Sequence, residues 1–354
     1  MQPSWRLPGA RRSNSRCLRT LLLFVVFCAA AFFGGWVCMY YYLSENRTES
    51  LEEPAELFVA PPAPTPQVEK DPDEVCYLHA TGLGRHGNLM FEYAAAMCIA
   101  SELDRTLIVS YRFNELLGSM FDLSAPDPGA FKKVNISSFK TVKQSPRCCS
   151  FDKKLLSLPR VDITLVGFFH SWLYFDKCQE RIKAEFEFKE SIVHQADDLL
   201  VKAARSFGWD RVKDSVLFVG IHVRRGERKS VNPLPHGDAN ADESYFKKAM
   251  SFYDGQYRDR NIVYIVVSDS SKTAGFVVQH PHAAVIDDKP VEVHMAVLSR
   301  CNHSIISVGA LGWWTAFLAG GTVVYYNGWP DPTSSVSALY RLNQYFYPKW
   351  IGMS

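Results

Sequence analysis

Two adjacent arginines at the end of an apolar run are the residues best suited to bind an anion. Val216–Val223 is apolar over eight positions, and Arg224, Arg225 and Gly226 follow it directly. The run predicts a strand buried on both faces, in the middle of a parallel sheet. Ligands of open α/β sheets bind beyond the carboxyl ends of the strands, and paired guanidinium groups there favour a pyrophosphate. Surface salt bridges are the alternative for such a pair.

The two arginines are expected to face opposite ways, because side chains alternate between the two faces of a strand. His222 and Arg224 then share one face, and Arg225 lies on the other. One arginine can contact a ligand while its neighbour braces the adjoining loop.

A glycine-rich loop offers a second anion site. Gly82, Gly84 and Gly87 precede an apolar helical pattern over residues 89–104. Free backbone N–H groups and the helix macrodipole attract anions at such a helix N-terminus. Arg85 and Asn88 are expected to project from the loop, although strand-to-helix turns also use glycine for purely structural reasons.

Two further segments end predicted strands in the second half of the chain. Ser268 and Asp269 close one strand, and Asp269 either accepts a hydrogen bond from ribose hydroxyls or caps the next helix. Gly309 and Gly312 would let the backbone approach a ligand. Trp313 either packs in the core or forms a sugar platform.

Strands and helices alternate strictly from residue 215 onwards, which predicts a parallel, doubly wound sheet. The first half shows a similar pattern at lower density, so the expected architecture is two α/β lobes with a cleft between them. The predicted strands cover residues 76–80, 106–110, 163–169, 216–223, 262–267, 284–286, 304–308 and 322–326. The predicted helices cover residues 89–104, 175–188, 191–207, 242–253, 272–279 and 291–300, with a last one from 312.

The N-terminal part reads as a membrane anchor and stem. No charged residue occurs in 20–44, which is long enough for one transmembrane helix and too long for a typical cleaved signal. Arginines precede it and glutamates follow it, which places the N-terminus in the cytosol. The resulting division is a tail at 1–19, a span at 20–44, a stem at 45–74 and lobes at 75–208 and 209–354.

Composition supports a lumenal globular protein. Of 354 residues, 47% are apolar, and the net charge of +2 depends on five arginines in the tail. The remainder is slightly acidic, so nucleic acid is not an expected partner. Six of the nine cysteines lie beyond the span and allow fifteen pairings. Glycosylation triplets begin at Asn46, Asn135 and Asn302.

A metal site is not expected. The Asp-x-Asp pair formed by Asp71 and Asp73 lies at the stem border, a poor place for a ligand. If the reaction releases a pyrophosphate, its charge must then be neutralised by arginines and helix N-termini.

Three segments carry a resemblance to a known family. GLGRHGNLMFEYAAAMCIA, VGIHVRRGER and CNHSIISVGALGWWTAFLAGG resemble, in order and spacing, the three blocks of the α1,2-fucosyltransferases of glycosyltransferase family 11. The resemblance implies a GT-B-like fold, with GDP-β-L-fucose as donor in the C-terminal lobe. It also implies metal-independent, inverting transfer to O2 of a terminal β-galactose on glycoproteins or glycolipids. The expected setting is the Golgi membrane, as a single-pass type II protein and possible homodimer.

The resemblance also assigns roles to residues. Arg224 and Arg225 inherit the pyrophosphate role, and His222 the supporting position of the motif. Arg85 and Asn88 belong to a Gly-Arg-x-Gly-Asn segment that is similar to the loop reaching the donor phosphate in the related O-fucosyltransferases. The remaining expected donor-side positions are Glu227, Ser268, Asp269, Gly309, Gly312 and Trp313.

Two questions stay open at this point. Glu227 stands where the family has aspartate, which lengthens the arm by one methylene and motivates one alternative, an inactive, membrane-anchored protein that binds a GDP-sugar or a glycan. A second alternative is a fucosyltransferase with another acceptor. The general base is not identified, and its candidates are His86, Glu227, Asp238 and Asp242.

Overall fold

The computed structural model describes residues 69–71, 74–145, 149–211, 213–224, 241–268 and 279–354. The predicted tail and span, and nearly all of the stem, therefore lie outside the described residues. Among the helices that are described, none has the length and apolarity needed to span a bilayer.

The first sheet has four parallel strands. They are β1 (Tyr77–Ala80), β2 (Thr106–Val109), β3 (Lys140–Lys143) and β4 (Ile163–Val166), in the order β2-β1-β4-β3. The sequence predicted β1, β2 and β4 but not β3. Because β3 lies at the sheet edge with most of its side chains exposed, it lacks the apolar pattern of a buried strand.

The second sheet has six parallel strands in the order β10-β9-β8-β5-β6-β7. β5 pairs with β6 and β8, and all seven of its residues are buried, which confirms the predicted central strand. The strands are β5 (Leu217–Val223), β6 (Ile262–Ser268), β7 (Ala283–Val285), β8 (His303–Ile306), β9 (Val323–Tyr326) and β10 (Ile351–Met353). Two parallel α/β halves are therefore confirmed.

Eight α-helices cover or join the described parts of these sheets. They are α1 (His86–Glu102), α2 (Tyr111–Leu117), α3 (Gln179–Glu185), α4 (Glu190–Ser206), α5 (Glu243–Gln256), α6 (Val291–Ser299), α7 (Ala310–Ala319) and α8 (Leu342–Tyr345). The helix predicted at 272–279 lies almost wholly outside the described residues.

The helix predicted at 175–188 is wrong in its extent. Two short 3-10 turns, Trp172–Tyr174 and Asp176–Cys178, precede α3, which ends at Glu185. The helix ends there because Phe186 and Phe188 leave it to pack on Phe121, with ring centroids 5.1 Å and 4.9 Å away. Aromatic packing thus overrides the local helical pattern.

The two halves share one hydrophobic core, built on the packing of α1 against α7. Phe91 of α1 contacts Trp313 and Trp314 of α7, with ring centroids 4.7 Å and 5.0 Å apart. Trp314 Nε1 also donates to the carbonyl of Gly87 at 3.0 Å. The N-terminal ends of the two helices are thereby held together.

The C-terminal segment returns to the first half. Phe151 N donates to Gln344 Oε1 at 2.9 Å, and His170 Nδ1 lies 2.9 Å from the Tyr340 hydroxyl. Residues 340–344 of the predicted C-terminal lobe therefore stabilise the N-terminal one.

One disulfide is formed among the described residues, between Cys98 of α1 and Cys178 just before α3. Cys76 and Cys301 are buried free thiols, and Cys149 is buried as well. Of the possible pairs, the structure thus shows Cys98–Cys178.

Candidate functional site

The carboxyl end of β5 places Arg224 beside the N-terminus of α7. Arg224 is exposed, and its backbone N–H donates to Ser307 Oγ at 2.9 Å. Its side chain lies over Gly309, where an added Cβ would come within 2.6 Å of Arg224 Nη1. Gly309 has φ +95, which also favours glycine there. The guanidinium group thus rests on the backbone that begins α7.

His222 lies beneath this surface. An added Cβ at Gly312 would come within 2.5 Å of His222 Nδ1, so this glycine permits the close packing of α7 on β5. Burial, with smaller contributions from nearby Arg224 and His294, lowers the pKa of His222 to about 3. The imidazole is therefore neutral, and its Nδ1 has no hydrogen-bond partner among the described residues. His222 supports the site from below.

The glycine-rich loop meets the same helix end. α1 begins at His86, and an added Cβ at Gly87 would come within 2.7 Å of both Ala310 C and Leu311 N. Arg85, at the N-cap of α1, is exposed. The structure thus brings the N-termini of α1 and α7 together, with Arg85 at the first and Arg224 beside the second.

Asn88 lies in the first turn of α1 and packs on the loop. Gly84 has φ +85, and a Cβ there would come within 2.8 Å of Asn88 Cβ. Arg112 Nη2 donates to the carbonyl of Gly84 at 2.8 Å. The loop is therefore pinned from both sides.

The sequence predicted free backbone N–H groups in the glycine-rich loop, and its first part differs from that prediction. Glu92 Oε1 accepts from Thr81 N and Gly82 N at 2.8 Å and 2.9 Å, and its Oε2 accepts from Leu83 N at 2.6 Å. These N–H groups are consequently not free to bind an external anion, and only those at the start of α1 remain for that purpose.

Glu92 is a residue that sequence reasoning missed. Its signal was a single acid within the apolar stretch of α1. The carboxyl group is fully buried, which raises its pKa to about 7, while the four hydrogen bonds from the loop oppose this rise.

Trp313 does not form a sugar platform. Its side chain is fully buried, and its Nε1 donates to the carbonyl of Tyr345 at 2.8 Å. Phe317 stacks on it with ring centroids 5.5 Å apart. The predicted donor-side role is therefore wrong for this side chain, because core packing leaves it no open face.

Other predicted residues are only partly accounted for. Ser268 is the last residue of β6 and pairs with Val223, so it lies at the same carboxyl end of the sheet as Arg224. Arg225, Glu227, Asp238 and Asp269 lie outside the described residues.

Two candidates for the general base are described. Asp242 caps α5, where its Oδ1 accepts from Tyr245 N at 3.0 Å and Ser244 Oγ at 2.8 Å. These hydrogen bonds lower its pKa, which makes it a weak base. His86 lies at the start of α1. Burial lowers its pKa, Glu292 opposes this and nearby Arg85 adds to it, so the ring is neutral and able to accept a proton.

Within the described ranges, no group of three or more His, Cys, Asp or Glu side chains is arranged to hold a metal ion. Asp73, half of the Asp-x-Asp pair, is outside those ranges.

The profile of Glycosyl transferase family 11 matches residues 55–354. The chain is 26% identical over 278 residues to galactoside alpha-(1,2)-fucosyltransferase 1 of Rattus norvegicus, covering 77% of this chain and 71% of that protein. Against the Sus scrofa protein of the same name, identity is 27% over 277 residues, covering 77% and 73%.

Similarity to solved structures is lower. Fucosyltransferase NodZ from Bradyrhizobium has a TM-score of 0.46 and 12% identity, covering 72% of this chain and 97% of that one. A mutant of Arabidopsis thaliana FUT1 in complex with GDP has a TM-score of 0.45 and 13% identity, covering 74% and 72%.

Proposed function

Because the chain belongs to glycosyltransferase family 11 and is a fucosyltransferase by its relatives, we propose that it transfers L-fucose from GDP-β-L-fucose to O2 of a terminal β-galactose. The observation that carries this proposal is the position of Arg224 against Gly309, where the N-termini of α1 and α7 meet. The galactose acceptor is taken from the names of the relatives, which act on galactosides.

The leaving group is the chemical problem that this site addresses. The bond between fucose C1 and the phosphate oxygen breaks, and GDP departs with the electron pair and an additional negative charge. The guanidinium group of Arg224 and the free N–H groups at the start of α7 can stabilise that charge as it develops. Arg225, next in the chain, is proposed to share this role. The proposed reaction therefore uses fixed cations and needs no metal ion.

The first lobe supplies the acceptor side. Galactose O2 attacks fucose C1 from the face opposite GDP, which converts the β-linked donor into an α-linked product. The proton of the attacking hydroxyl must leave, and His86 is the described candidate to accept it, because its ring is neutral and partly exposed at the start of α1. Arg85 and Asn88 are proposed to orient the donor phosphate and the reacting carbon from the same helix end.

We also propose the Golgi membrane as the location, with residues 20–44 as a type II anchor and the catalytic part in the lumen. The uncharged length of 20–44 supports the anchor, and the Cys98–Cys178 disulfide supports an oxidising compartment. Dimerisation stays a prediction.

The test is a transfer assay on the full chain in detergent, with GDP-fucose and lactose or N-acetyllactosamine, with and without EDTA. We expect fucose on galactose O2 at an equal rate in both conditions. Fucose at another position would indicate a different acceptor. A strict metal requirement would contradict neutralisation by protein cations alone. Binding of GDP without transfer to any acceptor would favour the inactive alternative that Glu227 raises.

A further inference from the structure

Glu92 is a buried carboxylate with an unusual set of partners. Its exposed fraction is 0%, and it forms no ion pair within the part of the chain that the structure describes. Its four donors all belong to one short segment. They are the backbone N–H groups of Thr81, Gly82 and Leu83, at 2.8, 2.9 and 2.6 Å, and the Thr81 hydroxyl at 3.0 Å.

This arrangement links the middle of α1 to the loop that precedes the same helix. Three consecutive N–H groups converge on one side chain, which requires a defined backbone path. Gly82 has φ +83, and a Cβ there would come within 2.7 Å of Ser110 Oγ, so the turn is also confined from the β2 side. The carboxylate therefore holds the backbone of residues 81–83, just ahead of the start of α1.

A buried carboxylate is energetically unfavourable if its role is only to hold a turn. Burying an ionised group without a cation is unfavourable unless charge-assisted hydrogen bonds replace its hydration. A neutral amide could hold a turn at lower cost, but it presents one acceptor oxygen and one donor NH₂ group. Burial raises the pKa of Glu92 to about 7, and the loop hydrogen bonds oppose this rise because they favour the ionised form. Only that ionised form offers acceptors on both sides, toward Gly82 N and Leu83 N alike.

The residues that follow this loop are those proposed to act on the substrate. Arg85 is the N-cap of α1, and Asn88 lies in its first turn, packed against Gly84. Gly87 places this turn against the start of α7, beside Arg224. A shift of the segment 81–84 would consequently move the first-lobe side chains relative to the bound donor.

We propose that Glu92 is a positioning residue for fucosyl transfer, whose carboxylate holds the segment 81–83 so that Arg85 and Asn88 face the donor site. This inference rests on the proposed function. Glu92 is not itself a catalytic residue, because its carboxylate is enclosed by the loop and has no exposed surface.

The test uses Glu92→Gln, which keeps the size of the side chain. The amide oxygen can still accept from Thr81 and Gly82, but its NH₂ group then faces the N–H of Leu83. A misplacement of roughly 1 Å can lower a rate about 100-fold, so we expect kcat for transfer from GDP-fucose to fall by about this factor. The affinity for GDP, measured by calorimetry, should change less than about threefold, because Arg224 and α7 are intact. Glu92→Asp, which retains both acceptors on a shorter arm, should recover part of kcat.

The matched control is Tyr93→Phe, at the next position of α1. Tyr93 is also buried, and its hydroxyl donates to Glu185 Oε2 at 2.6 Å and accepts from Ala125 N at 3.2 Å, neither of which belongs to the loop. We expect a lower Tm with kcat within about twofold of the parent. Amide hydrogen exchange at residues 81–83 should accelerate in Glu92→Gln and stay unchanged in Tyr93→Phe.

Three results would overturn the proposal. The first is a kcat of Glu92→Gln equal to that of the unsubstituted protein. The second is an equal loss of kcat in Glu92→Gln and Tyr93→Phe at equal Tm. The third is amide exchange at residues 81–83 that is as slow in Glu92→Gln as in the unsubstituted protein. A parent chain that binds GDP but transfers to no acceptor would refute the proposed function and, with it, the role in transfer. Hydrogen exchange would still show whether Glu92 holds the loop, so the two failures are distinguishable.

Discussion

At the residue scale, Arg224 combines exposure with a fixed backbone. Its main chain is tied to Ser307, and its side chain lies on Gly309 at the start of a ten-residue helix. A guanidinium group in this position can reach an anion while sharing it with the N–H groups of the helix. Ordinary surface arginines lack the second contribution, because their partners are isolated carboxylates.

Arg224→Ala is expected to lower kcat for fucose transfer by at least about 100-fold, since loss of a charge-assisted contact to the leaving group removes on the order of 3 kcal/mol. Tm should not change, because the side chain is exposed. Kinetics with GDP-fucose and lactose, together with thermal unfolding, would measure both quantities.

Arg205→Ala is the matched control for this change. Arg205 is an exposed arginine in the last turn of α4, and its removal should leave kcat unaltered. Near-normal turnover in Arg224→Ala would refute its role at the leaving group.

At the element scale, the contact between α1 and α7 decides whether the two lobes can form one site. It depends on Gly87, whose lack of a side chain lets the two helix ends approach, and on the Trp314 hydrogen bond to the Gly87 carbonyl. Taken singly, α1 follows β1 and α7 follows β8, as helices commonly follow strands in α/β folds. Their joint position creates a surface at which two helix N-termini adjoin.

Gly87→Ala should separate the two helix ends. The added methyl group would come within 2.7 Å of backbone atoms of Ala310 and Leu311, and backbone cannot yield as a flexible side chain does. We expect a loss of about 1–3 kcal/mol in the free energy of unfolding and a fall in kcat, measured by urea denaturation and transfer assays.

Gly255→Ala provides the comparison. Gly255 lies within α5 with no atom within 4 Å of an added Cβ, so the change should be neutral or stabilising by about 0.5–1 kcal/mol. Equal effects of the two substitutions would contradict a special role for the contact between α1 and α7.

At the scale of the whole molecule, two buried histidines couple stability to pH. Burial lowers the pKa of both His170 and His222 to about 3. The folded state keeps these rings neutral, whereas the unfolded chain protonates them near pH 6.5. Their contribution to stability is therefore complete above about pH 6.5 and is lost as the pH falls toward 3.

His170→Asn should isolate one of these contributions. The free energy of unfolding of the parent minus that of the variant should decrease by up to about 1.4 kcal/mol per pH unit below pH 6.5. Urea denaturation of both proteins between pH 7.5 and 5 would measure it, and the subtraction cancels other titrating groups, Glu92 included. A difference that does not vary with pH would mean that His170 is not held neutral.

Much of the second half could be predicted from sequence because its signals are local. An apolar run such as β5 specifies a buried strand by itself, and an Asp before a helical pattern specifies the N-cap of α5. The alternation of strands and helices then predicts a parallel sheet. The arginine after β5 consequently lies at the carboxyl end of the strands, where ligands bind in such sheets. The sequence alone thus determined the two α/β halves, the central strand and the meeting of a cationic strand end with a glycine loop.

The tertiary structure decided matters that depend on partners distant in the chain. Glu92 accepts hydrogen bonds from loop N–H groups that the sequence pattern predicted to be free. The Trp313 ring is buried in the core, although its motif also allowed a ligand contact. Cys98 selects Cys178 from five possible partners. No local pattern contains these choices, because burial and hydrogen bonding are settled only when segments far apart in sequence compete for the same space.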